Sequence, residues 1–127
     1  MPIKIVKLKA ADGPPNVEIE IGHAQFGKYE FSLFDTDGRN PVVIASGLTH
    51  DTLPDNFQID GNAATLNGRF LSWSANIIPA GNENNPQFSL TVHVRQRNVE
   101  VTGSPIVVKG PLTGPRAEFD FIKLEVA

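Results

Sequence analysis

Phe88-Ser89-Leu90-Thr91-Val92-His93-Val94-Arg95 alternates apolar and polar side chains without a break. Successive side chains of an extended chain point to opposite faces, so this segment has one apolar face and one polar face, the pattern of a half-buried strand. The same period recurs on both sides of it. Upstream lie Leu71-Trp73-Ala75-Ile77, Tyr29-Phe31-Leu33 and Val17-Ile19-Ile21, the last with Glu18 and Glu20 facing away. Downstream the chain turns near Arg97-Asn98 and returns through Val99 and Val101; Gly103-Ser104-Pro105 interrupts that return before Ile106 to Val108. No stretch carries a convincing helical period.

Turn residues separate the strands. Asp35-Thr36-Asp37-Gly38-Arg39-Asn40 links the strand from about Lys28 to Phe34 with the return that begins Pro41-Val42-Val43-Ile44-Ala45, which reads as a hairpin. Phe57 and Ile59 lead into Asp60-Gly61-Asn62. Asn67-Gly68 is the strongest two-residue turn signal, and it predicts a type I′ turn. Two segments change parity midway. Ile3 and Ile5 alternate on one side and Val6 and Leu8 on the other; Ala117, Phe119 and Phe121 give way to Ile122, Leu124 and Val126. A bulge or a change of sheet would reconcile the first with a single buried face, and a bulge near Phe121-Ile122 is the simplest account of the second.

The expected fold is all-β: a single antiparallel β-sandwich, jelly-roll or immunoglobulin-like in layout, of about eight or nine strands, in one domain spanning residues 1–127. A small closed barrel is the alternative. The Cys-Trp-Cys arrangement of true immunoglobulin domains is missing, and the lone Trp73 is expected in the core with Leu71, Phe88, Leu90 and Val92.

Composition narrows the function. A length of 127 residues with 40% hydrophobic content suffices for one core, while 20% charged residues and a net charge of −3 argue against a nucleic-acid partner. The absence of cysteine removes disulfides, thiol nucleophiles and zinc–thiolate sites. Met1 to Ala11 is interrupted by Lys4, Lys7 and Lys9, and the longest apolar run elsewhere, Pro41 to Ala45, is far too short for a membrane span. A soluble protein with no visible signal peptide is expected; its compartment is not assigned.

The constellations that carry chemistry are sparse. Asp35, Asp37 and Asn40 place oxygen-bearing side chains around a tight Gly turn, and Ca²⁺ prefers such ligands. An EF-hand spacing is not met, so a plain hairpin turn is the preferred reading, with Asp51, Asp55 and Asp60 as ligands only if their connection folds back. His23, His50 and His93 share no metal-ligand spacing. His50-Asp51 beside Ser46 lacks a nucleophile-elbow motif. Glu18, Glu20, Glu30, Asp55 and Asp60 are available as paired acids, without a cleft legible in sequence. Arg95, Arg97 and His93 form at most a short basic strip on a solvated hairpin, with no interleaved aromatics.

Asn82, Asn84 and Asn85, with Glu83, make a loop rich in donors and acceptors that suits sugar hydroxyls if Trp73 or Phe88 lies near. Phe26 and Phe34 are candidate exposed aromatics for a partner. The expectation is a non-catalytic binding or assembly module, acting through loops, an exposed sheet face or an unpaired edge strand. Its partner is a protein or a second copy, and no cofactor is required. A lectin-like carbohydrate-binding module, calcium-assisted or not, is the alternative.

Overall fold

The computed structural model describes residues 3–22, 25–50, 54–79 and 87–127. They form ten strands: β1 (Ile5–Leu8), β2 (Asn16–Gly22), β3 (Phe26–Phe34), β4 (Val42–His50), β5 (Asp55–Gln58), β6 (Phe70–Ile78), β7 (Gln87–Gln96), β8 (Val99–Glu100), β9 (Ile106–Pro111) and β10 (Arg116–Val126). The first sheet has the order β1-β10-β6-β3-β4. The second has the order β5-β2-β7-β8, with β9 also pairing β7. Both sheets end in edge strands, so neither closes into a barrel. Among the described residues no helix is long and apolar enough to cross a membrane.

The alternating stripes meet in one core. Tyr29, Phe31 and Leu33 of β3 and Leu71, Trp73, Ala75 and Ile77 of β6 join Val17, Ile19 and Ile21 of β2 and Phe88, Leu90, Val92 and Val94 of β7 in a single buried cluster. Phe31 is its junction: its ring lies 5.8 Å from those of Tyr29 and Trp73 in its own sheet and 4.9 Å from Phe57 on β5 of the other. Trp73 sits where the sequence places it, with Leu71, Phe88, Leu90 and Val92.

The structure corrects four expectations. There are ten strands among the described residues rather than eight or nine: the interrupted return after Arg97-Asn98 is two strands, β8 and β9, and β5 is a separate four-residue edge strand. The pairing is not wholly antiparallel: β1 runs parallel to β10. These strands are far apart in sequence, so no tight turn imposes an antiparallel arrangement.

No bulge interrupts β10, whose register with β6 is unbroken from Arg116↔Ile77 to Lys123↔Phe70. In β1 and β10 alike the even-numbered Val6, Leu8, Ile122 and Leu124 are buried, whereas Ile3, Ile5, Phe119 and Phe121 face outward and are exposed. The parity changes arise because these strands are apolar on both faces. The register shift instead lies in the β3–β4 hairpin, between Phe31 and Ser32.

Turn chemistry is the fourth correction. Asn67 has φ −60° and ψ 124°, Gly68 has φ 81°, and the Arg69 N–H donates to the Leu66 carbonyl at 3.0 Å, which is a type II turn. It follows a 3₁₀ turn, Ala63–Leu66, rather than a strand, so it has no hairpin twist to match. The positive-φ pair is Arg97-Asn98, at 50° and 63°, in the two-residue β7–β8 connection, where a type I′ turn belongs.

The interruption at Gly103-Ser104-Pro105 is as expected. β8 pairs with the end of β7 and β9 with its start. Between them the Ser104 hydroxyl accepts the Val94 N–H at 2.7 Å, in place of a ladder carbonyl. Here β1 also reaches the second sheet, its Lys7 N–H donating to the Thr102 carbonyl at 2.9 Å. The approach is so close that a Cβ on Gly103, at φ 94°, would lie 2.2 Å from the Ile5 carbonyl oxygen.

The β7 stripe ends on a buried amide. Gln96 donates to the carbonyls of Lys9 and Gly13 at 2.9 and 2.8 Å and accepts the Lys9 N–H at 2.9 Å, pinning the corner after β1. Gln96→Glu leaves both carbonyls without a donor and sets an acceptor against them, so denaturant unfolding should show a loss of about 2–4 kcal/mol. Trp73→Ala should cost about 3–5 kcal/mol in the same assay, since the large indole is almost wholly buried in the core.

Candidate functional site

The outward face of the first sheet is where the chain departs from the usual division of apolar inside and polar outside. Register sets Lys123, Phe70 and Phe34 in one row, Phe121, Ser72 and Ser32 in the next, and Phe119, Ser74 and Glu30 in a third. Large rings alternate with serines. Small side chains between large ones leave a depression, and an open cleft of about 520 Å³ lies there, lined by Ile3, Phe34, Phe70, Ser72, Phe119 and Phe121, with Gly38 and Asp120 at its margin. Phe70 and Phe121 meet edge to face at 6.0 Å. Phe119 is 81% exposed, Ile3 48% and Phe121 43%. Asp120 is tied to Lys4 by an ion pair, which gives the cleft a neutralised polar rim.

The outward face of the second sheet is the opposite in character. Arg95 lies between Glu18 and Glu100, bonded to the first and 3.0 Å from the second. The Ser104 hydroxyl donates to Glu100 at 2.7 Å, and His93 Nδ1 lies 2.9 Å from it. Partial burial pushes the Glu100 carboxyl up, but the hydrogen bonds from Ser104 and His93 and the charges of His93 and Arg95 outweigh it and hold the group below its ordinary value. The Glu18 carboxylate raises Arg95 in turn. The basic strip of the sequence is therefore largely engaged: Arg97 bonds the Ala11 carbonyl at 3.1 Å and lies 3.9 Å from Asp12.

The loop of Asp35, Asp37 and Asn40 closes on its own side chains. Asp35 accepts from the N–H groups of Asp37 and Arg39 at 3.3 and 2.8 Å and from the Asn40 amide at 2.7 Å. Its carboxyl is pulled down to about 2, first by a hydrogen bond with Asp37 and then by the Arg39 N–H, while that same bond pushes Asp37 up. This is an Asx-type turn whose acids are occupied with one another and with the backbone. Among the described residues no group of three or more His, Asp or Glu is placed to hold a metal ion.

Asp55 is drawn away from that loop to bond the hydroxyl of buried Tyr29, which links β5 of the second sheet to β3 of the first. Burial and the Asp55 carboxylate both push the Tyr29 phenol up. Gly47 of β4 makes room for the pair: a Cβ there would lie 3.0 Å from the Tyr29 hydroxyl and 3.1 Å from Asp55.

Of the other sequence candidates, Phe34 lines the cleft. Asn82, Asn84, Asn85, Asp51 and His23 lie outside the described residues. Sequence reasoning passed over Phe70, Phe119 and Phe121 as members of one surface. The available signal was the parity change in β1 and β10, which marks strands with two apolar faces. No protein-family model, curated protein or solved structure matches the chain.

The Glu100 arrangement makes a pH prediction. A carboxyl whose folded value is lowered binds fewer protons folded than unfolded, so its stabilising contribution is complete above about pH 4.5 and is lost as the pH falls through the lowered folded value. Denaturation midpoints at pH 7, 4.5 and 3 should fall more steeply for wild type than for Glu100→Gln, which starts lower at pH 7.

Proposed function

We propose that this chain is a non-catalytic binding or assembly module that engages a protein partner through the aromatic cleft on the outward face of its first sheet. The scaffold in this reading is a β-sandwich, jelly-roll or immunoglobulin-like in the broad sense that strands pass between two sheets; the core shared by both sheets supports it. The observation that carries the function is the grouping of Phe119, Phe121, Phe70, Phe34 and Ile3 in one open cleft.

Monomeric proteins seldom leave contiguous apolar patches uncovered unless a partner covers them. Covering one exposed Phe side chain is worth about 1.5–3 kcal/mol at best, so Phe119 and Phe121 together suffice to anchor a moderate-affinity contact. The Lys4–Asp120 pair at the margin supplies the polar rim that surrounds such anchors.

Site-specific photocrosslinking tests the reading. A crosslinking residue at position 119 should capture one discrete protein species in cells, and the same residue at Val107, outward on the other sheet, should not. Phe121→Ser should weaken the capture by at least ~2 kcal/mol, about thirtyfold in affinity, while leaving the melting temperature near wild type. Equal, indiscriminate ladders from both positions would refute the assignment.

A further inference from the structure

We infer that β4 is a self-pairing edge, through which two copies of this chain join their first sheets into one continuous sheet. The inference deepens the assembly reading above and rests on it, but it concerns a different surface: backbone at the sheet edge instead of rings on the sheet face.

An edge strand presents unpaired N–H and C=O groups that template another strand, and proteins ordinarily blunt such edges with short length, lysine, proline or bulges. Three edges here are blunted. β1 has four residues, is flanked by Lys4 and Lys9, contains Lys7, and is bridged to Thr102. β5 has four residues and begins at Asp55. The edge opposite it consists of two-residue β8 and six-residue β9, split by Gly103-Ser104-Pro105, carrying Lys109 and ending at Pro111.

β4 differs from all of them. It has nine residues, Val-Val-Ile-Ala-Ser-Gly-Leu-Thr-His, with no acid, lysine, arginine or proline. Its register shift lies near its start, opposite Phe31 and Ser32, and leaves Ala45 to His50 in unbroken register with β3. Among the described residues no strand or loop pairs with its free side. Leu48 is 72% exposed, and Val42 and Val43 are more than half exposed.

The absence of charge selects the occupant. In a two-fold antiparallel pairing each residue faces the one equally far on the other side of the axis, so residues near the axis lie close to their own copies and a charge there repels its counterpart, whereas β4 carries no acid, lysine or arginine. Centred on Gly47, the pairing sets Leu48 of one copy opposite Ser46 of the other. The two-fold axis then runs normal to the sheet, so both aromatic clefts face the same way and the dimer offers a bivalent surface to one partner.

The test is sedimentation of the purified full chain across a micromolar-to-millimolar series, for wild type, Leu48→Lys, Leu48→Glu and an equimolar mixture of the two variants. Wild type should form a dimer, each variant alone should raise the dissociation constant about tenfold or more, and the mixture should recover association. Melting curves confirm that each variant is folded. Amide exchange from Ala45 to Thr49 should slow with concentration in wild type only. A wild type that stays monomeric throughout, or a dimer untouched by either charge, overturns the inference. If Phe119→Ser dissociates the dimer and Leu48→Lys does not, the contact belongs to the aromatic face; the edge inference then fails while the cleft reading stands.

Discussion

Phe31 occupies the place where the two sheets must agree. Its ring contacts Tyr29 and Trp73 within its own sheet and Phe57 across the gap, so the spacing of the layers at this point is set by one side chain. The neighbouring polar link depends on that spacing. The Tyr29 hydroxyl reaches Asp55 of the opposite sheet past Gly47, where any side chain would crowd it. At the other seam backbone does the joining: β1 pairs with β10 in one sheet and touches Thr102 beside the other, over Gly103. The fold thus holds its layers by an aromatic contact at one margin and a main-chain bridge at the other, with the aliphatic core between.

The two outward faces divide their roles. On the second sheet Glu18, Arg95, Glu100, His93 and Ser104 satisfy one another, which leaves a polar surface content to meet water. On the first, rings and serines alternate across β10, β6 and β3, and water is a poor neighbour for the rings. A strand covered on one face needs an apolar residue only at every second position. β10 carries Phe119 and Phe121 at the positions its own packing does not use.

Much of the fold was legible because burial leaves a period-two trace. The β7 stripe Phe88-Leu90-Val92-Val94, the β6 stripe around Trp73 and the break at Gly103-Ser104-Pro105 all stand where alternation and turn chemistry put them. The readings failed where one assumption was carried too far, that an apolar residue marks the inside. Under it the parity change at Phe121-Ile122 required a bulge; the strand is regular, and the outside is apolar there. Gln96 escaped for the converse reason. It continues the inward parity of β7, but nothing local reveals that the groups awaiting its amide are the main chain of Lys9 and Gly13. Likewise Asn67-Gly68 names a turn without saying what flanks it, and a 3₁₀ segment selects type II where a hairpin would select I′.

The parallel pairing of β1 with β10 has a mechanical consequence. Because the strands run the same way, the chain enters β1 beside Lys123 and leaves β10 beside Leu8, at opposite ends of the shared ladder. Tension applied along the chain pulls the two strands past each other, loading the pairs from Ile5↔Lys123 to Leu8↔Val126 together instead of peeling them one at a time. An antiparallel closure would unzip from its end. The geometry here puts the seam in shear.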